Sequence, residues 1–196
     1  MDDIVIIDDL LPKQHQDFIT WYFMRGDTEW YFQKDITFDD GQESEKRVNH
    51  YGFAKLIFDR QNKPDSVHPD FFNILPIVYR ALEHIDDEVE TMLRMRAFLQ
   101  FPVRGSDDDR VNNPHVDLPI GHTVVLYYLT DTDGDTIIYN ETEKSDNYTI
   151  KKTIKPKKGR CVIFNGKHYH SSSRPTNGVR TILNVDLITK ESVGRL

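Results

Sequence analysis

The chain has 196 residues, which suits one domain with a sizeable core. Hydrophobic residues make up 38 % and aromatic ones 11 %, and that much buriable area excludes an intrinsically disordered chain. The formal charge of −7 argues against a protein that holds nucleic acid by neutralising its phosphates, although local basic patches stay open.

Ile4 to Ile7 reads as a first strand. It follows the acidic Met1-Asp2-Asp3 and is too short for the apolar stretch of a signal peptide, which also needs a basic start. Nowhere does the chain approach the roughly 18 apolar residues of a membrane span, and the single Cys161 permits no internal disulfide. A cytoplasmic protein with no membrane partner is expected. Pro12 opens a helical pattern to about Arg25, with Phe18, Ile19, Tyr22 and Phe23 on its apolar face. Trp30 to Phe38 and Tyr51 to Phe58 read as strands, separated by a polar loop from Asp39 to Asn49. Asp70 to about His84 reads as a second helix, with Phe71, Leu75, Val78 and Leu82 on one stripe.

After Glu90 the character changes to strands: Met92 to Phe101, Thr123 to Leu129, Thr136 to Tyr139, Tyr148 to Ile154, Arg160 to Phe164 and Val179 to Ile188. Turn residues bound them, among them Asp133-Gly134-Asp135, Lys158-Gly159 and Asn177-Gly178. Val103 to Pro114 reads as a polar loop, in which Asp107 to Asp109 are a charged stretch rather than a second cation site. Lys151, Lys152, Lys155, Lys157 and Lys158 form a basic run that reads as a solvated strand edge. Helices first and many short strands later predict a mainly β (α+β) protein, an antiparallel sandwich or jelly roll with N-terminal helices bracing one sheet. A single domain over 1–196 is expected, with helical support from 1 to 90 and a β core from 91 to 190.

The chemistry rests on Pro114-His115-Val116-Asp117, His170 and Arg180. Two imidazoles and one carboxylate can occupy one face of an octahedral Fe(II) and leave positions open for a co-substrate and oxygen. An arginine beyond the last ligand can hold the far carboxylate of a keto acid bidentately. A His-x-Asp pair alone means little, because 8 His and 23 Asp in 196 residues give about one by chance. Four occur: His15/Asp17, His68/Asp70, His84/Asp86 and His115/Asp117. His15/Asp17 lies in the first predicted helix, where positions two apart do not face one another. His84/Asp86 has the same geometry or ends the second helix, and His68-Pro69-Asp70 begins it. Only His115 and Asp117 stand in an extended context, where alternate side chains point the same way. For the third ligand His168 and His170 compete, and their shared parity leaves the choice open.

These residues resemble the Fe(II)/2-oxoglutarate-dependent dioxygenases, the prolyl 4-hydroxylase-like branch in particular. The resemblance runs in order through His115-Val116-Asp117, Val125-Leu126-Tyr127-Tyr128-Leu129, Asp133-Gly134-Asp135-Thr136, Gly159-Arg160-Cys161-Val162-Ile163-Phe164, His170 and Arg180. It covers about Leu93 to Leu187 and implies a double-stranded β-helix. It also implies that His115, Asp117 and His170 hold Fe(II), His170 being preferred to His168 because it stands six residues after Phe164. Arg180 matches the residue that grips the 2-oxoglutarate C5 carboxylate, with Tyr128 assisting there. Arg174, the competitor, reads as a surface loop charge. Gln100 or Phe101 would line the pocket, and Asn184 would share the face of Arg180. The implied cofactors are Fe(II), 2-oxoglutarate and O2, with ascorbate as a candidate addition. The implied reaction is hydroxylation of a substrate C–H, by default a prolyl or other amino-acid residue, with release of succinate and carbon dioxide. The substrate would be a protein, a peptide or a small molecule, with loops on the rigid scaffold forming its rim. Two other readings stay open: a non-catalytic jelly-roll module that binds a metal or ligand, and a cupin-type enzyme that uses no 2-oxoglutarate.

Overall fold

Two antiparallel sheets face each other in a computed structural model that describes residues 4–34, 36, 51–62, 67–102 and 110–193. The elements are β1 (Ile4–Ile7), α1 (Lys13–Met24), β2 (Tyr31–Gln33), β3 (Gly52–Asp59), α2 (Asp70–Glu83), β4 (Val89–Gln100) and β5 (Thr123–Tyr128), then β6 (Thr136–Tyr139), β7 (Ile150–Ile154), β8 (Cys161–Asn165), β9 (His170–Ser172), β10 (Arg180–Thr189) and α3 (Lys190–Val193). Seven strands form the larger sheet in the order β1-β8-β5-β10-β4-β3-β2, and three form the smaller in the order β7-β6-β9. Isolated bridges Val111–Ser173 and His115–His170 lay the 111–115 segment along the other side of β9. This is the predicted jelly roll. The predicted loop at Asp39 to Asn49, the end of the predicted strand at Thr37 and Phe38, and Asp107 to Asp109 lie outside the described residues.

Strand parity sorts the larger sheet into two faces. On one face Met95, Ala97, Val125, Tyr127, Leu183 and Val185 pack with Ile19 and Phe23 of α1 and Ile74, Ile77 and Val78 of α2. On the other, Phe98, Leu126, Tyr128 and Ile182 pack against Ile138 and Ile154 of the smaller sheet. Both helices therefore brace one sheet. The central strands β5 and β10 are covered on both faces; β5 accordingly reads as a near-continuous apolar run, whereas β10 alternates Leu183, Val185 and Leu187 with the polar Asn184 and Asp186.

Local chemistry starts the helices. The Pro12 carbonyl accepts the first bonds of α1, from the N–H groups of His15 (2.8 Å) and Gln16 (3.0 Å). At α2 the His68 Nδ1 accepts the Asp70 N–H at 3.2 Å. The buried Asp70 carboxylate meets Lys55 Nζ at 2.8 Å and accepts the Tyr22 hydroxyl at 2.6 Å, which ties α2 to β3 and α1. His68-Pro69-Asp70 is thus a helix start. The short β9 was not anticipated: His-Ser-Ser carries little β preference, and pairing with Ile138 on one side and His115 on the other makes it a strand. The basic run also divides. Lys151 and Lys152 lie on β7 at the end of the smaller sheet, whereas Lys157 and Lys158 pair with Asp8 and Asp17.

One core group is costly. Tyr127 is 1 % exposed and its hydroxyl has no hydrogen-bond partner among the described residues. Tyr127→Phe removes that unsatisfied hydroxyl without leaving a hole, so stability should rise by about 1 kcal/mol. Urea unfolding of the two proteins checks this; a loss of stability would mean that the hydroxyl has a partner.

Candidate metal centre

Backbone pairing sets the two histidines side by side. The His115 N–H donates to the His170 carbonyl at 3.0 Å, and the His170 N–H donates back to His115 at 2.9 Å. Residues that exchange both bonds project their side chains to the same face. Their ring centroids lie 4.6 Å apart. Asp117, two residues on, turns its carboxylate to the same spot, with Oδ2 3.2 Å from His170 Nε2. The three residues offer ligand atoms that all lie within 4.8 Å of one another. His168, the rival, turns its ring to Lys151 instead, with Nε2 3.1 Å from Nζ.

The donor set fits a divalent metal. His115 Nδ1 meets the Asn113 carbonyl at 3.1 Å, and His170 Nδ1 meets the His168 carbonyl at 3.2 Å. A carbonyl accepts only, so each Nδ1 carries the proton and each Nε2 is left to face the ligand position. Burial holds the His115 pKa down to about 4, which keeps that ring neutral. Burial also depresses His170, but its hydrogen bond to Asp117 outweighs this and leaves its pKa raised. Burial would raise Asp117, yet the adjacent Arg96 charge, with help from His170, keeps its carboxyl well below the usual carboxylate range.

Arg180 lies in the same pocket, which is also lined by His115, Asp117, His170, Gln100 and Thr136. Arg180 is 3 % exposed, yet its hydrogen-bond partners among the described residues are neutral. Nε donates to the Gly134 carbonyl (2.8 Å), Nη1 to Gln100 Oε1 (3.1 Å) and Nη2 to Thr136 Oγ1 (2.8 Å). A buried guanidinium without a carboxylate partner is expensive unless an anion completes it. Thr136 Oγ1 also accepts the Tyr128 hydroxyl at 2.7 Å. Its lone pairs are then used, so its own O–H is free to donate into the pocket. The Gln100 amide nitrogen is buried and unpartnered among the described residues. Tyr128 thus joins the cluster both beside the Arg180 guanidinium, which lies 5.9 Å over its ring, and through Thr136, whose hydroxyl lines the pocket. Gly134 is needed here, because a Cβ would lie 2.9 Å from Arg180 Cδ and 2.8 Å from the Ser173 carbonyl.

Behind the metal position lies a charged network that sequence reasoning missed. Asp117 Oδ1 pairs with Arg96, and its Oδ2 accepts from Asn184 at 3.1 Å. Arg94 donates to the Asp117 carbonyl at 2.6 Å and to Asp186 Oδ2 at 3.0 Å. Asp186 is fully buried, and His122 Nε2 stands 3.9 Å from its Oδ1. The available signal was parity: Arg94 and Arg96 share the face of Gln100, and Asp186 shares that of Arg180 and Asn184. Arg174 corrects an expectation. It is 2 % exposed rather than a surface loop charge, because its guanidinium stacks over the Tyr51 ring at 5.0 Å.

No protein-family model matches the chain, and no curated protein matches it. Solved structures do. A 2OG-Fe(II) oxygenase-family oxidoreductase from Burkholderia pseudomallei is similar at TM-score 0.65 and 13 % identity, over 94 % of this chain and 84 % of that one. A prolyl-4-hydroxylase from Pseudomonas putida gives TM-score 0.62 and 12 % identity, over 95 % and 92 %. A prolyl hydroxylase from Trichoplax adhaerens, in complex with a hypoxia inducible factor peptide fragment, gives 0.61 and 12 %, over 100 % and 87 %. At such identities the likeness shows the fold, which is that of the 2-oxoglutarate–iron(II) oxygenases and prolyl hydroxylases.

Two outcomes follow from the geometry. A metal at this centre must displace the proton from His170 Nε2, so affinity should weaken as pH falls through the raised His170 pKa. Calorimetry of Zn(II) binding over a range of pH, in buffers of different ionisation enthalpy, should show proton release that grows as pH falls toward and below the His170 pKa; no release at any pH would contradict the His170 assignment. Separately, a Cβ on Gly166 would meet His122 Nε2 at 2.1 Å. Gly166→Ala should therefore destabilise by roughly 1–3 kcal/mol, and adding His122→Ala should relieve much of that clash in thermal or urea unfolding.

Proposed function

We propose that the protein is an Fe(II)- and 2-oxoglutarate-dependent oxygenase that hydroxylates a C–H bond of an amino-acid residue, releasing succinate and carbon dioxide. The observation that carries this reading is one pocket lined by both a His/Asp/His cluster and a buried arginine with only neutral partners. His115, Asp117 and His170 would hold the metal. Arg180 would take the far carboxylate of 2-oxoglutarate, with the Thr136 hydroxyl and the Gln100 amide as further donors.

When bound, iron and 2-oxoglutarate supply the oxidising chemistry. The chain's own part is to bind, orient and exclude water. Gly134, Gln100 and Thr136 pre-aim the guanidinium, so little order is lost when the acid arrives. Arg96 and Asn184 hold the Asp117 carboxylate in one orientation. Leu126, Ile182 and Phe98 make the pocket walls apolar, which strengthens each polar contact inside.

Anaerobic addition of Fe(II) and 2-oxoglutarate should produce a visible charge-transfer band in folded protein. Its absence would count against the proposal, and metal binding with no succinate formed from any substrate would favour a non-catalytic module. Arg180→Ala should raise the 2-oxoglutarate Kd by a factor of roughly 10–100, the worth of a charge-assisted hydrogen bond. Titration of that band reads the change, and an unchanged Kd would remove Arg180 from the co-substrate site.

A further inference from the structure

A second cavity, of about 630 Å³, adjoins the metal pocket, and the two share Arg94, Arg96 and Phe98 as walls. Its floor is the part of the larger sheet made by β2, β3 and β4: Tyr31 pairs with Ala54, Ala54 with Phe98 and Leu56 with Arg96. Tyr31 (59 % exposed) and Leu56 (41 % exposed) present apolar surface within it. We propose that this trough binds the substrate, and that Arg94 and Arg96 receive a carboxylate which the substrate carries on an apolar body. The proposal rests on the oxygenase reading above and deepens it.

The donors are in place. A guanidinium has five N–H groups. Among the described residues Arg94 makes two hydrogen bonds, through Nε and Nη2, and Arg96 makes one, through Nη2. Arg96 is 9 % exposed, and its buried Nε has no partner among the described residues. An orphaned N–H of this kind costs roughly 1–3 kcal/mol until an acceptor reaches it. The Arg96 guanidinium stacks on the Phe98 ring at 4.9 Å, which fixes the plane of its fork. A planar fork with free edges suits a carboxylate.

Charge points the same way. Without metal, Arg94 and Arg96 face Asp117 and Asp186. A divalent ion on Asp117 competes for that carboxylate's charge and leaves two guanidiniums against Asp186. Asp59, opposite Arg94 in register, and Glu29 also line the trough, but among the described residues neither hydrogen-bonds Arg94 or Arg96, the Asp59 carboxylate being held by the Gln61 and Asn62 N–H groups and the Asn62 amide. Arg96 touches Asp117 itself, so a carboxylate received on its fork would lie next to the carboxylate proposed to hold the metal. Tyr31, Ala54, Leu56 and Phe98 then receive the apolar remainder.

The test uses N-acetyl amino acids as free acids and as carboxamides, with the amides of N-acetyl-aspartate and N-acetyl-glutamate as a third set. Binding to the Zn(II)- and 2-oxoglutarate-loaded protein is read by calorimetry, and succinate formation by the Fe(II) protein is read alongside. At least one acid should bind 10-fold or more tighter than its carboxamide. Preference for the third set would assign the carboxylate to an acidic side chain, and preference for the first set to a chain terminus or small acid. Leu56→Glu, which puts a competing carboxylate opposite Arg96, should abolish the preference. Arg96→Met paired with Asp186→Asn should do the same without leaving a buried charge unmatched. Equal binding of acids and carboxamides, binding of none, or a preference that survives both variants overturns the proposal. The Fe(II)–2-oxoglutarate band recorded on each protein separates this failure from failure of the oxygenase reading: a normal band with no acid preference sinks only the carboxylate.

Discussion

The pairing of β10 with β4 on one side and β5 on the other is the constraint on which the site depends. In that register Arg180 lies opposite Gln100, Ile182 opposite Phe98 and Tyr128, Asn184 opposite Arg96 and Leu126, and Asp186 opposite Arg94 and Val124. Every one of these points away from the helices. A slip of one residue would turn Arg180, Asn184 and Asp186 into the apolar layer beneath α1 and α2, at the cost of several unpaired buried groups. The apolar residues between them, Thr181 apart, make the same error costly from the other side. The register shifts in β10 begin only after Asp186, beyond the last residue that the site uses.

The small sheet adds a second constraint. Reciprocal backbone bonds between His115 and His170 fix the spacing of the rings before any ligand is present. Each ring is then oriented by a carbonyl two residues earlier in its own chain segment, Asn113 for His115 and His168 for His170. His122 repeats the device with Ile120 at 2.8 Å. These local bonds choose the tautomer without a distant partner. A segment as poor in β preference as His-Ser-Ser can thus hold the candidate ligand His170 in place, because its geometry is imposed by neighbours on both sides.

Much of this was legible in the sequence because parity and turn residues report it directly. The β-type runs, both helices and the extended setting of His115 and Asp117 follow from period and spacing, whereas joining them to His170 and Arg180 rested on the family resemblance. The choice between His168 and His170 did not follow from parity. It depended on which histidine enters a strand after the turn at Asn165 to His168, a matter of hydrogen bonding rather than composition. Arg174 was misread for a related reason: a loop arginine is ordinarily solvated, and only the fold brings Tyr51 from a distant part of the chain beneath it. Thr136 was missed because a hydroxyl in a strand has no spacing signature. Arg94, Arg96 and Asp186 were overlooked although their parity was visible, since charges on a strand ordinarily mark its solvated face.

Those three charges divide the work between two buried carboxylates. Burial raises the pKa of both Asp117 and Asp186. For Asp117 the Arg96 charge reverses this and holds the group ionised, as a metal ligand must be. For Asp186 burial prevails, strengthened by the Asp117 charge beside it, and its pKa stays raised despite Arg96 and Arg94. One carboxylate is thus kept charged, as a metal ligand would need to be, while the other anchors the arginines that keep it so. Replacing the group by apolar residues would often be neutral or stabilising in a purely structural core. Here the ion network stands at the junction of two cavities, where its cost keeps the Asp117 carboxylate ionised.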